Sequence, residues 1–96
     1  EVFERSETDE YCKNVRWMEK QLLDNKIPYH KDGLSNIFVI SKPSDFFLKK
    51  YHLASFEGKD GKINCSHIIV NPFHTEYEIL ELIKDLKNEN LREPNL

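Results

Sequence analysis

Glycine is scarce in this 96-residue chain, with only Gly33, Gly58 and Gly61. Each falls where a turn is expected, so no glycine-rich loop that could cradle a phosphate is readable. Cysteine is scarcer still, at Cys12 and Cys65. Two thiols in an expected helix and an expected strand, with no local spacing logic, do not make a disulfide framework. They read as buried or half-buried free thiols of a reducing compartment, with a bridge between them as the lesser alternative. Positive charge is not in excess: Lys plus Arg number 14 against 17 Asp plus Glu, a net charge of −3. That balance gives no electrostatic footing for nucleic acid. No apolar run approaches the roughly 20 residues that span a bilayer. Residues 1–10 are acidic and polar, so no signal peptide is visible. The expectation is a cytoplasmic protein with neither nucleic acid nor membrane as partner. An initial Met is also missing, which reads as a fragment or as a processed or trimmed chain.

What is present is the composition of a folded chain, 39% apolar and 32% charged. The length suits one domain with a core that is only just sufficient. The expected division is a flexible segment 1–7, a single α+β domain 8–88 and a flexible tail 89–96.

The stretch 36–54, NIFVISKPSDFFLKKYHLA, organises the rest. Ile37, Phe38, Val39 and Ile40 form an unbroken apolar run that suits a strand covered on both faces. Pro43 is tolerated in a first helical turn, Ser41 or Ser44 can cap that turn, and Asp45 suits the positive end of the helix. Phe46, Phe47, Leu48 and Tyr51 then make a short helix, and 53–57 a strand. Upstream, Ser6 or Thr8 can cap a helix over about 8–25, with Tyr11, Val15, Met18 and Leu22 on one face. Trp17 lies off that line and either covers an edge or marks a surface that meets another domain. Ile27-Pro28-Tyr29 ends the helix and can form a short edge strand, and Lys31-Asp32-Gly33 is a turn. Downstream, Asp60-Gly61 signals a hairpin into a return strand 62–70. Ile63, Cys65, His67 and Ile69 share one face of that strand, and Asn64, Ser66, Ile68 and Val70 the other. Asn71-Pro72 stops it, Thr75 with Glu78 makes a capping box, and Ile79, Leu82, Ile83 and Leu86 form the apolar stripe of a last helix.

This order predicts an α+β two-layer sandwich: a small, mainly antiparallel sheet of three or four strands with three helices on one face. Neither face of the last strand is clearly polar, so the sheet face turned away from the helices is expected to dock on something.

Two blocks carry a resemblance. The first is the strand 37–40, Lys42-Pro43-Ser44, the short helix 46–50 and His52-Leu53-Ala54. The second is His67 with Ile68, Ile69 and Val70, then Asn71-Pro72-Phe73-His74, then a helix ending Ile83-Lys84-Asp85-Leu86. In this order, over roughly residues 10–88, the chain resembles the C-terminal small domain of the group II pyridoxal-phosphate-dependent amino-acid decarboxylases, and within them the histidine and serine decarboxylases. The resemblance implies the C-terminal domain of a fold-type I enzyme. The parent would be a homo-oligomer that removes the α-carboxylate of an amino acid to give an amine and CO2, with the cofactor as electron sink. This chain would close one wall of the cleft, with its sheet against the large cofactor-binding domain or a second subunit. The family's cofactor lysine lies in a His-Lys pair of the large domain, flanked by small residues. Here His30-Lys31 sits in Tyr29-His30-Lys31-Asp32-Gly33, an expected exposed turn, and the role does not carry over. Pyridoxal phosphate therefore belongs to the parent only, and no catalytic, cofactor-binding or metal-binding residue is assigned to this chain. The alternative is a free-standing α+β interaction module without catalysis.

The remaining polar groups read structurally. Cys65 and His67 stand two apart on one strand face, but a zinc site needs a third ligand that no spacing supplies, and parallel side chains do not form a nucleophile–base pair. His67 is expected in the core. His74 precedes the last helix, where a packing position explains it as well as an active-site role does. His52 is expected to make a local hydrogen bond. Lys49, Lys50, Lys59, Lys62 and Lys84 read as a scattered, solvated set.

Overall fold

The computed structural model describes the backbone of residues 2–31, 33 and 35–96, and the side chains of that set from Lys13 onward. The elements are α1 (Val2–Asp24), β1 (Ile37–Ser41), α2 (Asp45–Tyr51), β2 (Ser55–Glu57), β3 (Ile63–Ile69) and α3 (Glu76–Lys87). Among the described residues they form three helices and one three-stranded antiparallel sheet of order β1-β3-β2. This is the expected α+β sandwich.

α1 begins well before the expected start at residue 8. Nothing in residues 2–8 breaks a helix, so Ser6 and Thr8 lie inside it and do not cap it. The side chains of Tyr11 and Cys12, and Asp32 of the expected turn, lie outside the described residues. α1 ends by geometry rather than by glycine. Lys26 takes a left-handed conformation at φ 55°, with Lys26 N–H on the Leu23 carbonyl at 3.1 Å and Ile27 N–H on the Leu22 carbonyl at 2.9 Å. Leu22 and Ile27 are both buried, the apolar contact that accompanies this kind of helix end.

β1 corrects one expectation. The run Ile37 to Ile40 is covered on one face only: Phe38 and Ile40 are buried, whereas Val39 is half-buried and Ile37 exposed. Ser66 and Ile68 of β3, with Val70 just after it, share the buried side. The register explains it, since Phe38 faces Ile68 and Ile40 faces Ser66. Val15, Met18 and Leu22 of α1, Phe47 of α2 and Ile79 to Leu86 of α3 close over these residues in one cluster. All three helices thus lie on the same side of the sheet.

The short connections are well specified. Ser44 caps α2, its Oγ accepting from Phe47 N–H at 3.3 Å, while Ser41 instead accepts from Arg92 N–H at 3.2 Å. Thr75 and Glu78 form the expected capping box on α3. The possible edge strand at 27–29 reduces to one bridge, His30 to Val39, with bonds of 2.9 and 2.8 Å on the outer edge of β1. The segment 89–96, expected as a flexible tail, lies against the body of the domain. Glu89 accepts from Ser44 N–H at 2.6 Å and from Ser44 Oγ–H at 3.0 Å, and the Asn95 carbonyl accepts from Lys59 N–H at 2.8 Å. A Cβ at Gly58 would stand 2.7 Å from that carbonyl, so the close approach of the tail requires glycine there.

Candidate functional site

The face of the sheet opposite the helices is built by alternation. Lys42 N–H bonds the Asn64 carbonyl at 2.8 Å and Val70 N–H the Asn36 carbonyl at 3.0 Å. Even-numbered residues are therefore the hydrogen-bonded pairs of the β1–β3 ladder. Ile37 with Ile69, and Val39 with His67, are the alternate pairs, whose side chains approach more closely. Ile37 is 38% exposed and Ile69 53%. Phe56 of β2 stacks on His67 with ring centroids 5.0 Å apart. The result is a continuous apolar strip of Ile37, Val39, Ile69 and the Phe56–His67 pair.

The strip has a boundary. Cys65 lies on this same face yet is fully buried, because the tail covers it: Sγ sits 3.5 Å from Asn64 Oδ1 and 3.6 Å from the Asn95 carbonyl. Beyond the tail, Ile63 is again 61% exposed.

The sequence candidates are dispersed. Cys65 is a free thiol that turns to Asn64 and Asn95, and His67 turns to Phe56. His67 is not a core residue as expected: the core takes the even-numbered face of β3, and His67 is odd. Among the described residues, no group of three or more His, Cys, Asp or Glu could hold a metal ion. His74 locks the turn into α3, its Nδ1 accepting from Asn71 N–H at 3.1 Å. Asn14, only 4% exposed, donates from Nδ2 to the carbonyls of Asn71 at 3.0 Å and His74 at 2.9 Å. Phe73, between them, is held outward at 87% exposure. His52 closes α2 in a left-handed conformation, its backbone N–H on the Leu48 carbonyl.

Sequence reasoning missed one polar cluster. Lys50 is not part of a loose scatter: its Nζ bonds Asp85 at 2.7 Å and pairs with Glu81 at 3.5 Å. Tyr51 donates to the same Asp85 oxygen at 2.5 Å. The hydrogen bond from Lys50, then that from Tyr51, holds the Asp85 carboxyl below its usual range, and the bond to Asp85 raises Lys50. Burial, then the bond to Asp85, pushes Tyr51 up to about 12. Tyr29 reaches about 12 as well, through burial and its 2.5 Å bond to Glu19. The spacing of Asp85 within α3 carries no signal for the cluster, because Lys50 and Tyr51 come from another helix.

Lys31 lies in the segment after the His30 bridge, its ammonium on the Gly33 carbonyl and 6.0 Å from the Phe38 ring centroid. Gly58 is filled against Asn64 and Asn95, and Gly33 and Gly61 stand in open turns. Among the described residues, no helix is long and apolar enough to cross a membrane. The sequence matches no model of a known protein family and no curated protein.

Proposed function

We propose that this chain is a docking domain whose open sheet face packs against a larger folded unit, and that this unit is the cofactor-carrying large domain of a pyridoxal-phosphate-dependent amino-acid decarboxylase in the cytoplasm. The observation that carries the docking is the apolar strip of Ile37, Val39, Ile69 and the Phe56–His67 pair. Apolar side chains gathered on one sheet face lose contact with water when a partner covers them, and such surfaces usually mark interfaces. The decarboxylase assignment rests on the motif order, strand, Lys42-Pro43-Ser44, helix, His52-Leu53-Ala54, then β3, Asn71-Pro72-Phe73-His74 and α3. In this reading the large domain supplies the cofactor and its lysine, and the cofactor supplies the electron sink for loss of CO2. This chain contributes a wall, rigid because its loops are tied by Asn14 and Glu89.

The coding sequence immediately upstream of Glu1 tests the assignment. An open frame encoding a large domain with a cofactor lysine supports it. A start codon at this point contradicts it and leaves the free-standing interaction module. Hydrogen exchange tests the docking in the intact parent: peptides covering 37–41 and 63–69 should exchange more slowly there than in the isolated chain, and equal rates would refute it.

A further inference from the structure

The chain leaves α3 through a bend and crosses to the open face of the sheet. Asn90 takes a left-handed conformation at φ 52°, which asparagine tolerates better than most residues. The root of the tail is fixed on both sides of this bend. Glu89 accepts from Ser44, and Leu91 packs against the core. Beyond Leu91 the hold is lighter. Arg92, Glu93 and Leu96 are exposed, and Pro94 and Asn95 are only half-buried. The backbone fastens this segment: Arg92 N–H donates to Ser41 Oγ at 3.2 Å, and the Asn95 carbonyl accepts from Lys59 N–H at 2.8 Å.

Where the segment crosses is fixed by the register. Ser41 of β1 is opposite Cys65 of β3, and Phe56 of β2 is opposite Cys65 on its other side. The tail therefore runs across the strands at this rung, from Ser41 to Lys59 in the β2–β3 hairpin. Cys65 lies beneath it, fully buried, with Sγ 3.6 Å from the Asn95 carbonyl. On one side of the crossing lies the apolar strip with Val39 and the Phe56–His67 pair. On the other, Ile63 is exposed. One lightly held segment thus divides an apolar face that the strands would otherwise present whole.

We propose that segment 92–96 is a displaceable strap over one end of the docking face, a role that rests on the docking proposed above. Lifted about Asn90 and Leu91, it uncovers Cys65 and joins Ile63 to the apolar strip, and the partner docks on the enlarged face. Opening removes no side chain of the strap from the core. It breaks backbone hydrogen bonds whose donors and acceptors water can serve instead, the kind of local opening that needs no unfolding of the domain. Gly58 is the point at which the strap can be lifted by design. A Cβ there would stand 2.7 Å from the Asn95 carbonyl and would also meet Asn64 Oδ1. The Asn64 amide can swing aside, but the Asn95 carbonyl moves only with the strap. Gly58 is not in the left-handed region, so its own backbone accepts alanine.

The test is iodoacetamide labelling of the full chain in urea concentrations below the unfolding transition, with Cys65 read by peptide mapping. Labelling of Cys65 should be slower than in the unfolded chain and nearly independent of urea, because little surface is exposed when the strap lifts. Ser41→Ala, which removes the acceptor of Arg92 N–H, should speed it by roughly fivefold. Gly58→Ala should speed it by at least about tenfold, with the circular dichroism spectrum unchanged, and should raise hydrophobic-dye binding above that of the wild type. A wild-type rate that climbs with urea as steeply as global unfolding does, or that equals the unfolded rate from the outset, would overturn the strap. So would wild-type rates in both variants. Labelling reports the strap and dye binding reports the face, so the two failures separate. Faster labelling in Gly58→Ala with dye binding present but no higher than in the wild type would overturn the guarding role alone. Faster labelling with no dye bound by either chain would overturn the docking reading on which that role rests.

Discussion

Val39 and Ile40 are neighbours on β1 that face opposite ways, so truncating each to Ala measures the covering of the sheet directly. Ile40 is fully buried in the core beneath the helices. Ile40→Ala removes three carbons' worth of apolar contact, about 0.8 kcal/mol each in transfer alone, or ~2.4 kcal/mol. The cavity left behind adds to this, and about 3–4 kcal/mol is expected. Val39 is half-buried on the open face, where no helix closes a cavity over it. Val39→Ala loses two carbons from a half-exposed position, under about 1 kcal/mol. Total stability for a domain of this kind is typically about 5–15 kcal/mol, so the first change takes a large share of it. Urea unfolding followed by circular dichroism gives the readout. With m about 1.5 kcal/mol/M, the Ile40→Ala midpoint should fall by ~2 M and the Val39→Ala midpoint by under ~0.7 M. Equal losses, or a larger loss at Val39, would mean that both faces are covered or that the register is shifted by one residue.

Asn14→Ala should cost about 2–3 kcal/mol, because two carbonyls of the β3–α3 turn lose their buried donor; amide exchange across 71–74 should speed up, and unchanged exchange would refute the tie. Tyr29 and Tyr51 ionise near pH 12 in the folded chain rather than near their usual value of 10. The raised values favour the protonated phenols in the fold, so this stability is complete below pH 10 and is lost as pH rises toward 12; Tyr29→Phe and Tyr51→Phe should each flatten that alkaline loss of thermal midpoint, and an unflattened slope would refute the assignment. Pyridoxal phosphate added to the chain and trapped with borohydride should label several exposed lysines diffusely; a single stoichiometric adduct, on Lys31 for instance, would show a cofactor site.

Where local chemistry decides an element, the sequence was legible. Thr75 and Glu78 announce the start of α3, and Asp60-Gly61 announces the hairpin, with Gly61 at φ 79°. Three of the four stripe residues of α1, Val15, Met18 and Leu22, and all four of α3 are buried as their spacing predicts. Four consecutive apolar residues in β1 carry no alternation, however, so their faces could not be told apart before the register was known. The start of α1 was misplaced because Ser and Thr cap helices but also sit inside them when better helix formers continue upstream. The parts that bear on function depend on distant segments. The tail covers Cys65 from 30 residues away, and Lys50 and Tyr51 meet Asp85 across 35 and 34 residues.

The docking face is the central claim, and sedimentation of the folded chain across a concentration series tests it most directly, alongside the variant Ile69→Lys. The wild-type chain should self-associate as concentration rises and should bind a hydrophobic dye while folded, and Ile69→Lys, placed on the open face, should reduce both without lowering the urea midpoint by more than about 1 kcal/mol equivalent. A wild-type chain that stays strictly monomeric and binds no dye would contradict the account.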